Sequence, residues 1–139
     1  MLAGLMQILL FDAQRNDIEG QMLDNSNALR SKQKYSSNET SQLEAQYKQE
    51  ESLIRNEMSM IDDTTSREYE SLLGELKELK DDLESKRSKI EKEATEYENL
   101  IQNENDTLGT QLEAINADKE AIESAVKENV EKTFGYFKD

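Results

Sequence analysis

The side chains available for chemistry in this 139-residue chain are carboxylates, hydroxyls, amides, amines and phenols, because it contains no histidine and no cysteine. The missing histidine removes the commonest general base, the commonest metal ligand and any serine–histidine pair. The missing cysteine removes disulfides, thiolate zinc sites and thiol nucleophiles. Two carboxylate pairs stand out, Asp62/Asp63 and Asp81/Asp82. Neighbouring residues on a helix do not converge on one point, so these read as a turn and a solvated face. Asn103, Asn105 and Thr107 alternate as calcium-loop ligands do, but Leu108 stands where the loop needs glycine and Ala114 where it needs the bidentate glutamate. The five glycines are scattered and form no phosphate loop. Asn38-Glu39-Thr40 and Asn105-Asp106-Thr107 match the short glycosylation triplet. The expectation is a protein with no catalytic, cofactor-binding or metal site.

Composition narrows the partners. Hydrophobic and charged residues each make up 35%, which suits one apolar stripe on a rod better than a rounded core. The net charge is −14, with 17 basic residues interleaved among 31 acidic ones, so no basic patch is offered to nucleic acid. Residues 1–62 hold 6 basic and 10 acidic side chains, and residues 63–139 hold 11 and 21. The acidic second part is read as the solvated one.

The opening MLAGLMQILLF is apolar but lacks a basic n-region, is interrupted by Gln7 and runs into Asp12. It is also too short to span a bilayer. A cell-surface or extracellular location would therefore need a route without a cleaved signal, and a cytoplasmic location is the alternative.

The element that must position everything is a long helix. From Tyr69 the apolar residues Leu72, Leu76, Leu79, Leu83, Ile90, Ala94, Tyr97, Ile101, Leu108, Leu112, Ile115, Ile122, Val126, Val130 and Phe134 recur at three- and four-residue steps, or at the seven-residue sum of the two, with no proline in the chain. Such a helix is roughly 100 Å long and must bury its stripe against another long helix. Asn105 and Lys119 interrupt the stripe, costing stability but fixing register. Asp82/Lys86, Glu123/Lys127 and Glu128/Lys132 are favourable i,i+4 pairs. Gly74 and Gly109 read as marks of bends or close crossings.

A first helix is expected over 2–29, with Leu2, Leu5, Leu9, Phe11, Ile18, Met22 and Leu29 on one face. Residues 31–42, SKQKYSSNETSQ, lose the pattern and offer capping boxes at Ser36/Glu39 and Ser41/Glu44, so a loop or kink is expected there, with a continuous exposed helix as the alternative. Apolar spacing returns at Leu43, Tyr47, Ile54, Met58 and Ile61. The turn is placed at Asp62, Asp63, Thr64, Thr65 and Ser66, with Thr65 and Glu68 as the capping box of the long helix. The tyrosines and the methionines Met6, Met22, Met58 and Met60 read as packing residues.

The fold expected is all-α: a long antiparallel helical hairpin or coiled coil, extended rather than globular. Its units are an arm over 1–62 with a candidate break at 31–42, a turn over 63–66, and a coiled-coil helix over 67–139. Closing the hairpin would set the apolar start beside the aromatic end, Phe134-Gly135-Tyr136-Phe137. The assembly contact is assigned to Leu2, Leu5, Met6, Leu9, Phe11, Ile18, Met22, Val130, Phe134, Tyr136 and Phe137.

This arrangement, with an apolar amino-terminal helix, resembles the self-assembling subunits of type III secretion needles and filaments and the terminal helices of flagellins. The stretches AQRNDIEGQM (13–22) and NVEKTFGYF (129–137) also look like the ends of short bacterial coiled-coil proteins. The Trp-x-Gly turn of small type VII effectors is missing, since the chain has no tryptophan. The resemblance implies paired terminal helices that polymerise into a filament or tube, with copies of the chain as partners and an export machine or chaperone as further ones. A coiled-coil adaptor or chaperone of discrete oligomeric state is the alternative function.

Overall fold

A computed structural model describes residues 2–136, and the side chains up to Gly135. It consists of two helices, α1 (Leu2–Ser59, 58 residues) and α2 (Arg67–Tyr136, 70 residues). They pack antiparallel, as a helical hairpin, and the described residues contain no strand. The chain divides into two units. Unit 1 joins Met1–Ala28 to Asn99–Asp139, and unit 2 is Leu29–Glu98.

In unit 1 the face of α1 turned toward α2 carries Gly4, Ile8, Phe11, Arg15, Ile18, Met22 and Asn25 at strict alternating steps of four and three. α2 answers with Ile101, Asn105, Leu108, Leu112, Ile115, Lys119, Ile122, Val126 and Val130. Ile18, Ile101 and Leu108 are its most buried side chains. The two polar interruptions both find partners on α1. Asn25 donates from Nδ2 to Oδ1 of Asn105 at 3.0 Å, and Lys119 Nζ meets Asp12 Oδ1 at 2.6 Å. A net hydrogen bond of this kind is worth about 0.5–1.5 kcal/mol, but its loss leaves a half-buried polar group unpaired, so the pairs select one register.

The register is tightest near the start of α1. A Cβ on Gly4 would stand 2.7 Å from Val126 Cγ2, so only glycine allows this approach. Gly74 and Gly109 have nothing within 4 Å of that position. The close crossing expected at those two glycines is therefore at Gly4 instead.

In unit 2 the polar stretch 31–42 is helical, and the loop or kink expected there is replaced by continuous α1. Lys32, Ser36, Thr40, Leu43 and Tyr47 take the inward positions, and Ser36 is buried. Thr40 donates its hydroxyl to the Ser36 carbonyl at 2.9 Å, which satisfies it without breaking the helix. Packing against α2 outweighs the weak helix preference of these residues. Arg87 fills an inward position that the apolar pattern skipped and meets Glu44 at 3.4 Å. Lys86 pairs with Asp82 at 2.9 Å as expected, and this pair raises the ammonium pKa. Glu123 of unit 1 lies 3.8 Å from Lys119.

The turn follows Ser59. Met60 and Ile61 donate to the carbonyls of Glu57 and Met58 at 3.2 and 3.1 Å, tightening the last turn of α1. Asp63 Oδ1 accepts both the backbone N–H of Thr65 (3.0 Å) and its hydroxyl (2.6 Å). These bonds hold the Asp63 carboxyl below its usual range. With Thr65 so engaged, the cap of α2 falls one residue later than expected. Ser66 Oγ accepts from the Tyr69 N–H at 3.2 Å, and Glu68 lies in the first turn with Glu70. Asp62, Asp63, Thr64 and Thr65 are exposed, and Ser66 is half-buried.

Candidate assembly surface

α1 of unit 1 is apolar on two opposite faces. Gly4, Ile8 and Phe11 are spent on α2, and this sets the helix phase. Leu2 and Leu9, expected on one face with Leu5, Phe11 and Ile18, consequently point away from α2, and Leu5 lies at the flank. Leu2, Leu5 and Leu9 are exposed by 73%, 45% and 68%, and Met6 and Leu10 by 64% and 56%. Of the residues assigned to the assembly contact, Ile18 is buried within unit 1, and Phe11, Met22 and Val130 are half-buried in its seam. The candidate contact therefore shrinks to the outward group.

At the other end of the list, Phe134 is 70% exposed. Gly4 is level with Val126, so Phe134 lies beyond the level of Leu2 and the two are not stacked as expected. Tyr136 ends α2, and Phe137 lies outside the described residues.

The outward residues form a pattern of their own. Leu2, Met6, Leu9, Ala13, Asn16, Gly20, Leu23 and Asn27 follow one another at steps of four and three, and every one is exposed and uncharged. Leucine occupies every second position but one. The acidic residues of this segment, Asp12, Asp17, Glu19 and Asp24, lie beside that line, and Arg15 is on the inward face. Several are already engaged. Asp12 contacts Lys119 and lies 3.5 Å from Arg15, while Asp17 accepts a hydrogen bond from Gln21 at 3.1 Å. The bond from Lys119, helped by both positive charges, lowers the Asp12 pKa.

Other surfaces lack this character. The grooves between the helices of unit 2 mix apolar edges with charge, as in the one lined by Leu43, Ile90, Glu39, Lys86, Lys89 and Glu93. Met60 is 82% exposed at the turn, and Tyr35 projects outward with the Lys32 ammonium 5.6 Å from its ring centre, so neither packs as expected. Tyr47, Tyr69, Tyr97 and Met58 do lie in the seam. Asn105, the first residue of one glycosylation triplet, is held by Asn25.

The line of exposed α1 residues could have been found in the sequence by testing both helical phases of residues 2–27 rather than one. The partners of Asn105 and Lys119 had no such signal, since they lie 80 and 107 residues away. Among the described residues, no cluster of three or more His, Cys, Asp or Glu side chains is placed to hold a metal ion, and no helix is long and apolar enough to cross a membrane. Comparison with protein-family models, curated proteins and solved structures returns no match, so the candidate surface rests on the geometry of this chain.

Proposed function

We propose that the chain is a structural subunit that assembles with copies of itself, through the start of α1 and the end of α2, into a filament or tube. One observation carries this reading: Leu2, Leu5, Met6, Leu9 and Leu10 remain exposed in a hairpin whose inward seam is already filled. Their combined apolar surface is on the order of 500 Å², at the size where an exposed patch marks an interaction site. Burying one such side chain gains about 1.5–3 kcal/mol, and the gain repeats with every subunit added. Export by a route without a cleaved signal, with an export machine or chaperone as a further partner, extends the same reading. The role is mechanical rather than catalytic.

Negative-stain microscopy of the purified chain tests the proposal. Wild type is expected to show polymers. Leu5→Glu and Phe134→Glu are each expected to abolish them while the helical content of the hairpin is retained. Discrete particles of one size, unchanged by either substitution, would instead favour an adaptor that closes on itself.

A further inference from the structure

We infer that the outward line of α1 is a second coiled-coil seam, and that its occupant is the same line of a second copy, paired antiparallel about a twofold axis at Ala13. The inference rests on the self-assembly reading and specifies its first contact.

The first support is periodicity. Leu2, Met6, Leu9, Ala13, Asn16, Gly20, Leu23 and Asn27 alternate steps of four and three, as do the inward residues Gly4 to Asn25 of the same segment. Five of the eight, Leu2, Met6, Leu9, Ala13 and Leu23, are apolar, and an apolar line at this spacing is what one helix presents to another. An extended peptide does not require it. The segment 2–29 also has one basic residue, Arg15, against four acidic ones, which disfavours an anionic membrane.

The second support is charge, and it sets the orientation. In a parallel pair the flanking residues would meet as Asp12 with Asp17 and Glu19 with Asp24 of the other copy, like charge against like. In an antiparallel pair the acidic half, Asp17 to Asp24, lies beside the uncharged half, Ala3, Leu5 and Leu10. Only Asp12 then faces its own copy, and Lys119 holds it at 2.6 Å.

The third support is size. Antiparallel pairing about Ala13 sets Met6 over Gly20, a large side chain over a small one, brings Leu2 near Leu23 and Leu9 near Asn16, and puts Ala13 opposite Ala13 at the axis. Small residues at the centre let the backbones approach, as Gly4 does on the inward face. Both members of each pair are exposed in the single hairpin. A twofold contact uses the same patch on both copies and closes on itself, so it forms a pair, and growth beyond the pair runs through the α2 end at Phe134, which the seam leaves exposed.

The cysteine-free chain allows a direct test. Single cysteines are placed at Ala13, Leu2, Leu23 and, as a control on exposed α1 of unit 2, Lys48. All four sites are exposed in the hairpin, so the fold of one copy does not depend on them. Under mild oxidation Ala13→Cys is expected to form about tenfold more disulfide dimer than Lys48→Cys, because pairing makes the encounter effectively intramolecular. Leu2→Cys mixed with Leu23→Cys should cross-link, and Leu2→Cys alone should not. Efficient linkage of Leu2→Cys to itself would mean parallel pairing and overturn the inference. No linkage above the control, in samples that sedimentation shows to be assembled, would overturn the pairing while leaving the assembly reading intact. Monomers in sedimentation at every concentration would sink both.

Discussion

The two units use α1 in opposite ways on the side turned away from α2. In unit 1 that side reads Leu2, Met6, Leu9, Ala13, Asn16, Gly20, Leu23 and Asn27. In unit 2 the equivalent positions, two residues before each inward one, read Lys34, Asn38, Ser41, Ala45, Gln49, Ser52, Asn56 and Ser59. Both lines are exposed, and both belong to one unbroken helix. Unit 2 therefore shows what this chain does with a helix line meant for water: apart from Lys34 and Ala45, the line carries amides and hydroxyls, and the exposed Leu53 stands beside it. The leucines of unit 1 are a departure from the chain's own habit, and that contrast is the physical basis for assigning them to a partner.

The largest expected effect breaks the contrast by placing the same charge on both lines. Leu9→Glu should weaken self-association by at least the 1.5–3 kcal/mol of one buried leucine, about ten- to a hundredfold in association constant. Gln49→Glu, on the water-facing line of unit 2, should leave it unchanged. The comparison is read by sedimentation equilibrium of the two variants. Equal effects would remove the distinction between the units.

Next come two glycines that differ in surroundings. Gly4→Ala gains about 1 kcal/mol of helix propensity but drives a methyl to 2.7 Å from the stiff Val126 side chain. Overpacking costs about 1–3 kcal/mol and outweighs that gain, so the variant should be less stable. Gly74→Ala meets nothing within 4 Å and should stabilise by about 1 kcal/mol. Urea unfolding of the two variants should move in opposite directions.

A smaller effect concerns the turn in unit 2. Ser66→Ala removes the N-cap bond to Tyr69 and should cost about 1 kcal/mol, whereas Thr65→Ala should cost less because the Asp63 bond to the Thr65 backbone survives. Equal losses would return the cap to Thr65. The smallest effect is that of pH on unit 1. The Asp12 carboxyl titrates lower in the fold than in the unfolded chain, where its value is 3.8. Its stabilising contribution is therefore present above that value and is lost as pH falls through the folded pKa. Asp12→Asn should flatten the acid limb of the unfolding midpoint measured from pH 5 downward.

Much of the fold was legible because α2 advertises itself. Leu72 to Val130 recur at the inward positions as read, since a stripe with charged neighbours has one apolar phase. The start of α1 was ambiguous for the opposite reason. With apolar residues all round, Leu2, Leu5 and Leu9 outweigh Gly4 and Ile8 in any hydrophobic count, yet the small Gly4 decides which face can approach α2. The segment 31–42 stays open between loop and helix in the sequence because Lys32, Ser36 and Thr40 occupy seam positions that apolar periodicity does not register. The polar interruptions at Asn105 and Lys119 were visible, but the residues that satisfy them were not. Nothing local ties Asn25 or Asp12 to a partner on the other helix.

The central claim is that the outward leucines of α1 are covered by other copies of the chain. Sedimentation velocity of the wild-type protein over a wide concentration range tests it most directly, with Leu9→Glu run beside it. Wild type should sediment faster as concentration rises, while Leu9→Glu stays at the rate of a single hairpin. A wild type that sediments as a monomer throughout, or that forms an oligomer equally well with Leu9→Glu, would contradict the account.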